Sequence, residues 1–342
     1  MSTMSIFFGD GVGIRRSEVG AIVKQSLLGF VLVLVLGYTA IFLSQQVRGL
    51  DALVAAVVLG MVVRIVLARK DEVFFRFLPG IILAQSVLIP VGIMLYGKNL
   101  QINVLAAASP LVLAQVTLIT AMTFVFMYFI GKLKWFGLKD RMLYLLGFGS
   151  AVCGASAIAI TSPITECEPD DTAVGLVNNT IVVIICAALL GLIFKAVLPP
   201  MEFAALNGAL LHQTGFVKTA LANEAKEVAA FGLAVKSFRI ALLILAVPII
   251  SYLVRRRVFI PWYLLVFVAL GFVFSYIPMS KEFSTGLGKV YEICFTSALV
   301  SVGLNADILK VSTRMWKPLL LIFIVFLLDV GLFLLTSGLI RY

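Results

Sequence analysis

Charge is scarce in this 342-residue chain: 13% of residues are charged, against about 25% in an ordinary soluble domain. With 62% of residues hydrophobic and a mean hydropathy of +1.12, a water-facing fold could not cover its own apolar surface. Histidine occurs once, at His212. No metal-ligand cluster and no nucleophile–base pair is evident, so neither a resident metal nor an intramembrane enzyme is expected, and no organic cofactor either. Cysteine occurs four times without a disulfide or zinc spacing: Cys153, Cys186 and Cys294 lie in apolar segments, and Cys167 stands alone in an acidic loop. The first 18 residues are polar and glycine-rich, and the apolar run that follows is long enough to span and stay, so no cleavable signal peptide is expected. Gly9-Asp10-Gly11-Val12-Gly13 lacks the spacing and following lysine of a phosphate loop.

What the chain does have is apolar stretches of about 20 residues along its whole length, each enough to cross a hydrocarbon core of roughly 30 Å. The expectation is an all-α polytopic membrane protein with about eleven transmembrane helices. They fall near residues 21–43, 51–68, 77–97, 104–130, 141–162, 171–195, 203–222, 228–254, 260–277, 284–308 and 316–340, the fourth starting after Pro110. The seventh is only moderately apolar, with Asn207, His212, Gln213 and Thr214, and is the one that would be a re-entrant or surface helix if the count of spans were even. These spans leave no room for a soluble domain. The net charge of +10 sits in short clusters between apolar segments, as topology signals do, and implies a lipid bilayer rather than nucleic acid as partner. Of 27 Lys and Arg residues, seventeen fall on the N-terminal side of this map and seven on the other. The positive-inside rule then puts the N-terminus in the cytoplasm and the C-terminus outside, with the acidic loop Glu166, Glu168, Asp170, Asp171 also outside.

Polar groups deep in a bilayer are costly and are functional candidates. Arg64 lies near a helix end and can snorkel to the headgroups. Gly232, Lys236 and Arg239 fall at i, i+4 and i+7, on one helix face near mid-membrane, where two cations suggest an anion site. The alternative is ion pairing to Glu292 or Asp329. His212, flanked by Gly208 and Gly215 at the same spacing, is either an interhelical hydrogen-bond donor or a substrate contact. The stretch Gly147–Pro163 is small at its centre, with Ser150, Cys153, Gly154, Ala155 and Ser156. It reads either as a tightly packed helix or as one broken at mid-membrane, its half-helix N-termini drawing an anion. A counterpart break is expected at Thr296-Ser297 through Ser301. Setting the first helix aside, both segments stand fourth in a group of five, giving two inverted five-helix repeats: spans 2–6 (residues 51–195) and spans 7–11 (201–342), after an N-terminal segment of residues 1–50. Asn178 offers a polar contact to the cavity, and Glu292, Asp329 and His212 are proton-carrying candidates.

The run SAVCGASAIAITSP, then Gly208, His212-Gln213-Thr214-Gly215 and Lys236-Ser237-Phe238-Arg239, resembles the YeiH-like sulfate exporter family over roughly residues 50–340. Around the histidine the chain departs from that family, with Phe216-Val217-Lys218 where a Gln-Val-containing run is expected. The family looks like part of the larger group of bile-acid symporters and sodium/proton antiporters. The resemblance implies a panel and a core domain, two broken helices crossing mid-membrane, and location in a bacterial inner membrane. The function expected is a secondary transporter of a small anion (a sulfur oxyanion, a sulfonate or a small carboxylate), with Na⁺ or H⁺ as coupling ion and a homodimer as a compatible assembly. The rival is a passive anion channel or a sodium/proton-type antiporter.

Overall fold

A computed structural model describes residues 16–46, 52–68, 71–99, 109–258, 260–277, 279–306 and 308–340. The elements are α1 (Arg16–Gln46), α2 (Ala52–Ala68), α3 (Asp71–Tyr96), α4 (Pro110–Gly131), α5 (Asp140–Phe148), α6 (Ala155–Thr165), α7 (Pro169–Phe194) and α8 (Pro200–Leu210). Next come α9 (Thr214–Ala220), α10 (Lys226–Ala241), α11 (Leu243–Arg255), α12 (Trp262–Tyr276), α13 (Lys281–Asn305), α14 (Ile308–Arg314) and α15 (Trp316–Ser337). No strand occurs among the described residues. Pro110, Pro169 and Pro200 are the first residues of α4, α7 and α8, where a missing N–H leaves no helical bond unmade. Residues 104–108 of the expected fourth span, and the Gly9–Gly13 stretch, lie outside the described residues.

Seven helical segments among the described residues are long and apolar enough to cross a bilayer, and Ala52–Leu67 and Trp262–Tyr276 are apolar but shorter. Their outward faces carry bare aliphatic side chains such as Leu192 and Leu335, each about four-fifths exposed, as lipid-facing helices do. The chain is an all-helical, multi-pass membrane protein.

Two of the expected spans are not single crossings. Arg141 and Glu166 stand 25 positions apart, roughly 38 Å along a straight helix. They nevertheless form an ion pair of 3.0 Å, and Arg255 reaches the same carboxylate at 3.5 Å. Residues 140–165 therefore turn back on themselves: α5 goes in, Gly149–Gly154 turns the chain, and α6 returns. Lys195 and Glu224 likewise meet at 3.0 Å across α8 and α9, whose separation as one helix would be roughly 44 Å. Between the two hairpins runs α7, 26 residues and about 39 Å long. Asp171 near its start faces Arg314 at 3.8 Å, and Lys195 follows its end. The hairpins thus enter from opposite ends of α7 and meet tip to tip. This corrects the expectation of broken helices that cross the membrane. It also moves the acidic loop Glu166–Asp171 to the side of Arg141, Arg255 and Arg314, because those arginines are its ion-pair partners.

The second break is also relocated. Through Thr296, Ser297 and Ser301, α13 is continuous. Its small residues serve close packing: a Cβ at Gly37 would strike Ser297, one at Gly60 would come 2.5 Å from the Val300 oxygen, and Gly303 lies against Val57. The helices α1, α2, α3, α12 and α13 pack on one another, and α4, the hairpins, α7, α10, α11 and α15 gather around the tips.

The hairpin reading makes a labelling prediction. Burial pushes the native Cys167 thiol up to about 11, so its thiolate is scarce and a new cysteine is the better probe. A membrane-impermeant maleimide is expected to label Glu168→Cys and Lys139→Cys from one side of the membrane, and Ala196→Cys and Ala222→Cys from the other. Labelling of Glu168→Cys and Lys139→Cys from opposite sides would restore a crossing helix.

Candidate functional site

At the tip of the first hairpin the last turn of α5 widens into a π-type turn over Gly149–Cys153, closed by the Gly154 N–H donating to the Gly149 oxygen at 2.9 Å. Gly154 then takes φ +69° and ψ −128°, a conformation open essentially to glycine alone, and starts α6. A helix end leaves carbonyls without N–H partners, and at membrane depth water does not replace them. Here two cations from α10 do. Arg239 donates from Nε to the Ala151 oxygen at 2.8 Å and from Nη2 to that of Ser150. Lys236 Nζ donates to the Val152 oxygen at 2.6 Å.

The second tip uses the same pair. After α8, Leu211 turns extended, and the Leu211 and His212 oxygens accept from Lys236 Nζ at 2.8 and 2.7 Å. Arg239 Nη1 adds a bond to Leu211 at 3.4 Å. All three ammonium N–H groups of Lys236 are committed to main-chain oxygens, and both side chains are buried, at 0% and 1% exposure. Backbone contact between α8 and α10 at Gly208 and Gly232 sets this register, since a Cβ at Gly232 would lie 2.9 Å from the Ala204 oxygen. From Gly232, Lys236 and Arg239 follow one and two turns further along the same face.

The charges sit at the carboxyl-terminal, negative ends of α5 and α8. Beyond the tips, where α6 begins, the opposite pole faces a cavity of about 200 Å³, room for roughly seven waters at liquid density. Cys153, Ala155 and Ser156 line it from the first hairpin, and Gln213, Thr214 and Lys218 from the second. Tyr96 and Tyr291 wall it from α3 and α13, stacked with ring centres 5.3 Å apart. The Tyr291 hydroxyl lies 3.4 Å from Ser156 Oγ. Gln213 Nε2 donates to Thr180 on α7 at 2.6 Å, while its Oε1, buried, has no partner. Ser150 Oγ, His212 Nδ1 and both amide atoms of Asn179 are buried at the tips in the same condition. Lys218 is exposed at the open side. Lys98, just past α3, has its ammonium pulled below the ordinary lysine value, first by partial burial and then by Lys218, with Glu292 opposing.

Of the expected site residues, the fold brings Ser150, Cys153, Gly154, Ala155, Ser156, His212, Lys236 and Arg239 together. Only Cys153, Ala155 and Ser156 among them face the cavity. Thr296, Ser297 and Ser301 are buried on α13 and do not line it. Asn178 donates to the Met315 oxygen at 2.9 Å, tying α7 to the start of α15. Asp329 accepts from Thr123 at 2.8 Å, and Glu292 is half-buried beside Tyr291. Sequence reasoning missed Tyr96, Gln213, Lys218 and Tyr291 as cavity residues. The signal for Gln213 was its place in the run His212–Gly215, and nothing local marks the two tyrosines.

Three consequences for stability follow from this geometry, each read as the melting temperature of purified variants. Gly154→Ala is expected to cost about 1–3 kcal/mol, since its Cβ would meet Gln213 Cγ at 2.5 Å in a strained φ region. Arg239→Lys keeps the charge but loses the fork that spans three carbonyls, at a cost of about 1.5–3 kcal/mol. Adding Asp329→Asn to Arg239→Gln is expected to recover only a small part of the loss, because the hydrogen-bond partners of Arg239 are carbonyls and Asp329 bonds to Thr123; full recovery would point to an ion pair instead.

The model of the family described as conserved hypothetical protein 698 matches residues 28–322. A UPF0324 membrane protein of Archaeoglobus fulgidus is 31% identical over 302 residues, 86% of this chain and 88% of that one. A UPF0324 membrane protein of Staphylococcus epidermidis is 27% identical over 304 residues, 84% of this chain and 88% of that one. No solved structure matches. The chain belongs to the conserved hypothetical protein 698 family, that of the UPF0324 membrane proteins.

Proposed function

We propose that this family member is a secondary transporter of the plasma membrane, carrying a small anion (a sulfur oxyanion, a sulfonate or a small carboxylate) by alternating access. The observation that carries the reading is the polarity of the tips. Lys236 and Arg239 occupy the negative ends of α5 and α8, and the positive end of the 11-residue α6 opens, with Ser156, on a cavity whose charged residue is Lys218. An anion there would meet main-chain N–H groups at the start of α6, the arrangement by which broken helices hold anionic groups in transporters. The unpaired Gln213 Oε1 sits on an amide that can turn its NH₂ toward the ligand.

In this reading nine helices cross the bilayer and the two hairpins do not. Two re-entrant segments leave the parity of the map unchanged, and Lys195 alone among the basic residues changes side. The basic excess still favours an N-terminus in the cytoplasm and a C-terminus outside. The inverted relation then resides in hairpin-plus-helix units, residues 140–194 and 200–255, which run in opposite directions. The layer formed by α1, α2, α3, α12 and α13 supplies Tyr96 and Tyr291, so movement of the tips past that wall would close one access and open another.

Purified protein titrated with sulfate, sulfite, taurine or a small carboxylate is the test. A ligand at 100 times its Kd should stabilise the fold by about 2.7 kcal/mol. At least one of these anions is expected to raise Tm saturably, Lys218→Gln is expected to shift the titration to higher concentration, and proteoliposomes are expected to show counterflow with that anion. Single-channel conductance without saturation would mark a pore instead.

A further inference from the structure

The position of the Lys236 amine bears on the coupling ion. Its Nζ is fully buried, and its neighbours are main-chain oxygens at 2.6, 2.8 and 2.7 Å, one from the first hairpin and two from the second. Hard oxygen ligands presented by helix carboxyl-terminal ends are the usual means by which a membrane protein holds an alkali cation at mid-membrane. Here the cation is covalently attached. Arg239 shares the Leu211 oxygen, so a second positive charge already stands beside the first. A third cation at this place would find the carbonyls taken and two like charges against it. Two further oxygens lie at the same tips: Asn179 Oδ1 and Gln213 Oε1 are buried there without partners. Asn179 Oδ1 lies 3.0 Å from where a Cβ on Gly154 would stand, and Gln213 Cγ 2.5 Å.

We infer that the Lys236 ammonium is a tethered substitute for a coupling sodium ion. It fills the oxygen cage that joins the two hairpin tips, so the anion binds without Na⁺. Removal of the amine leaves the carbonyls of Val152, Leu211 and His212 as a site that Na⁺ can enter. The role is one of positioning: the cation holds the tips so that α6 presents its amino-terminal end to the cavity. The first half of the inference rests on the anion-binding reading above; the sodium response of a lysine-free variant does not.

The experiment measures Tm of the full chain in NaCl, KCl and choline chloride at equal ionic strength, with and without sulfate or taurine, for the wild type and for Lys236→Ala. The wild type is expected to show no Na⁺-specific rise in Tm and the same anion-induced rise in all three salts. For Lys236→Ala, Na⁺ is expected to raise Tm saturably, by on the order of 3 °C, with no response to choline. The inference is overturned by Na⁺-specific stabilisation of the wild type, by an anion response that needs Na⁺, or by a folded Lys236→Ala indifferent to Na⁺. If no anion shifts Tm in any salt, the transport reading fails while the sodium response of Lys236→Ala still decides the cage. If Lys236→Ala does not fold, the Na⁺ dependence of the wild type decides instead.

Discussion

Everything at the centre of this protein depends on two cations holding main-chain oxygens. Ser150, Ala151, Val152, Leu211 and His212 end helices in the buried interior, where an unpaired carbonyl is costly. Lys236 and Arg239 satisfy all five from a single helix face. The breaks are tolerable because the cations are there, and the cations are tolerable because the breaks offer them oxygen. Neither half of this arrangement would be stable without the other, which is why one partner cannot be removed cheaply.

The surrounding structure serves that junction. Glycines at 208 and 232 let α8 and α10 approach until the cations lie under both tips, and Gly154 supplies the one backbone conformation that turns the first hairpin around. At the far ends of the hairpins, Arg141 with Glu166 and Lys195 with Glu224 tie each base together. These exposed ion pairs contribute little stability, on the order of 0–1 kcal/mol each, and serve chiefly to fix which ends are neighbours. With the negative helix ends neutralised, the cavity beside Ser156 and Gln213 is left with the positive pole of α6 and with Lys218. The polarity of the cavity is therefore a consequence of how the breaks are stabilised, and the cations stand behind the cavity rather than in it.

The all-helical membrane class, the small-residue break at Gly149–Gly154 and the Lys236–Arg239 face were legible because each departs from what lipid-facing sequence looks like. The second break was legible only in part: the polar residues Asn207, His212, Gln213 and Thr214 marked residues 203–222 as a doubtful span, but Leu211-His212-Gln213 carries neither glycine nor proline, and the cation that satisfies its carbonyls comes from α10. The run Thr296–Gly303 has the composition of a break but uses its small side chains to seat α1 and α2 against α13. The first hairpin was hidden for a different reason. Basic-residue asymmetry reports parity, and two segments that both turn back leave parity untouched. The acidic loop was the available clue, since four acids without a basic residue need partners, and Arg141, Arg255 and Arg314 are those partners in space though not in sequence.

The most direct test of the central claim is a high-resolution structure of the protein with selenate, whose selenium locates the anion without ambiguity. The anion is expected within hydrogen-bond distance of the main-chain N–H groups at the start of α6 and of Ser156, with Lys236 and Arg239 still donating to the five carbonyls. Selenate in contact with the Lys236 ammonium or the Arg239 guanidinium, with those carbonyls released, would contradict it.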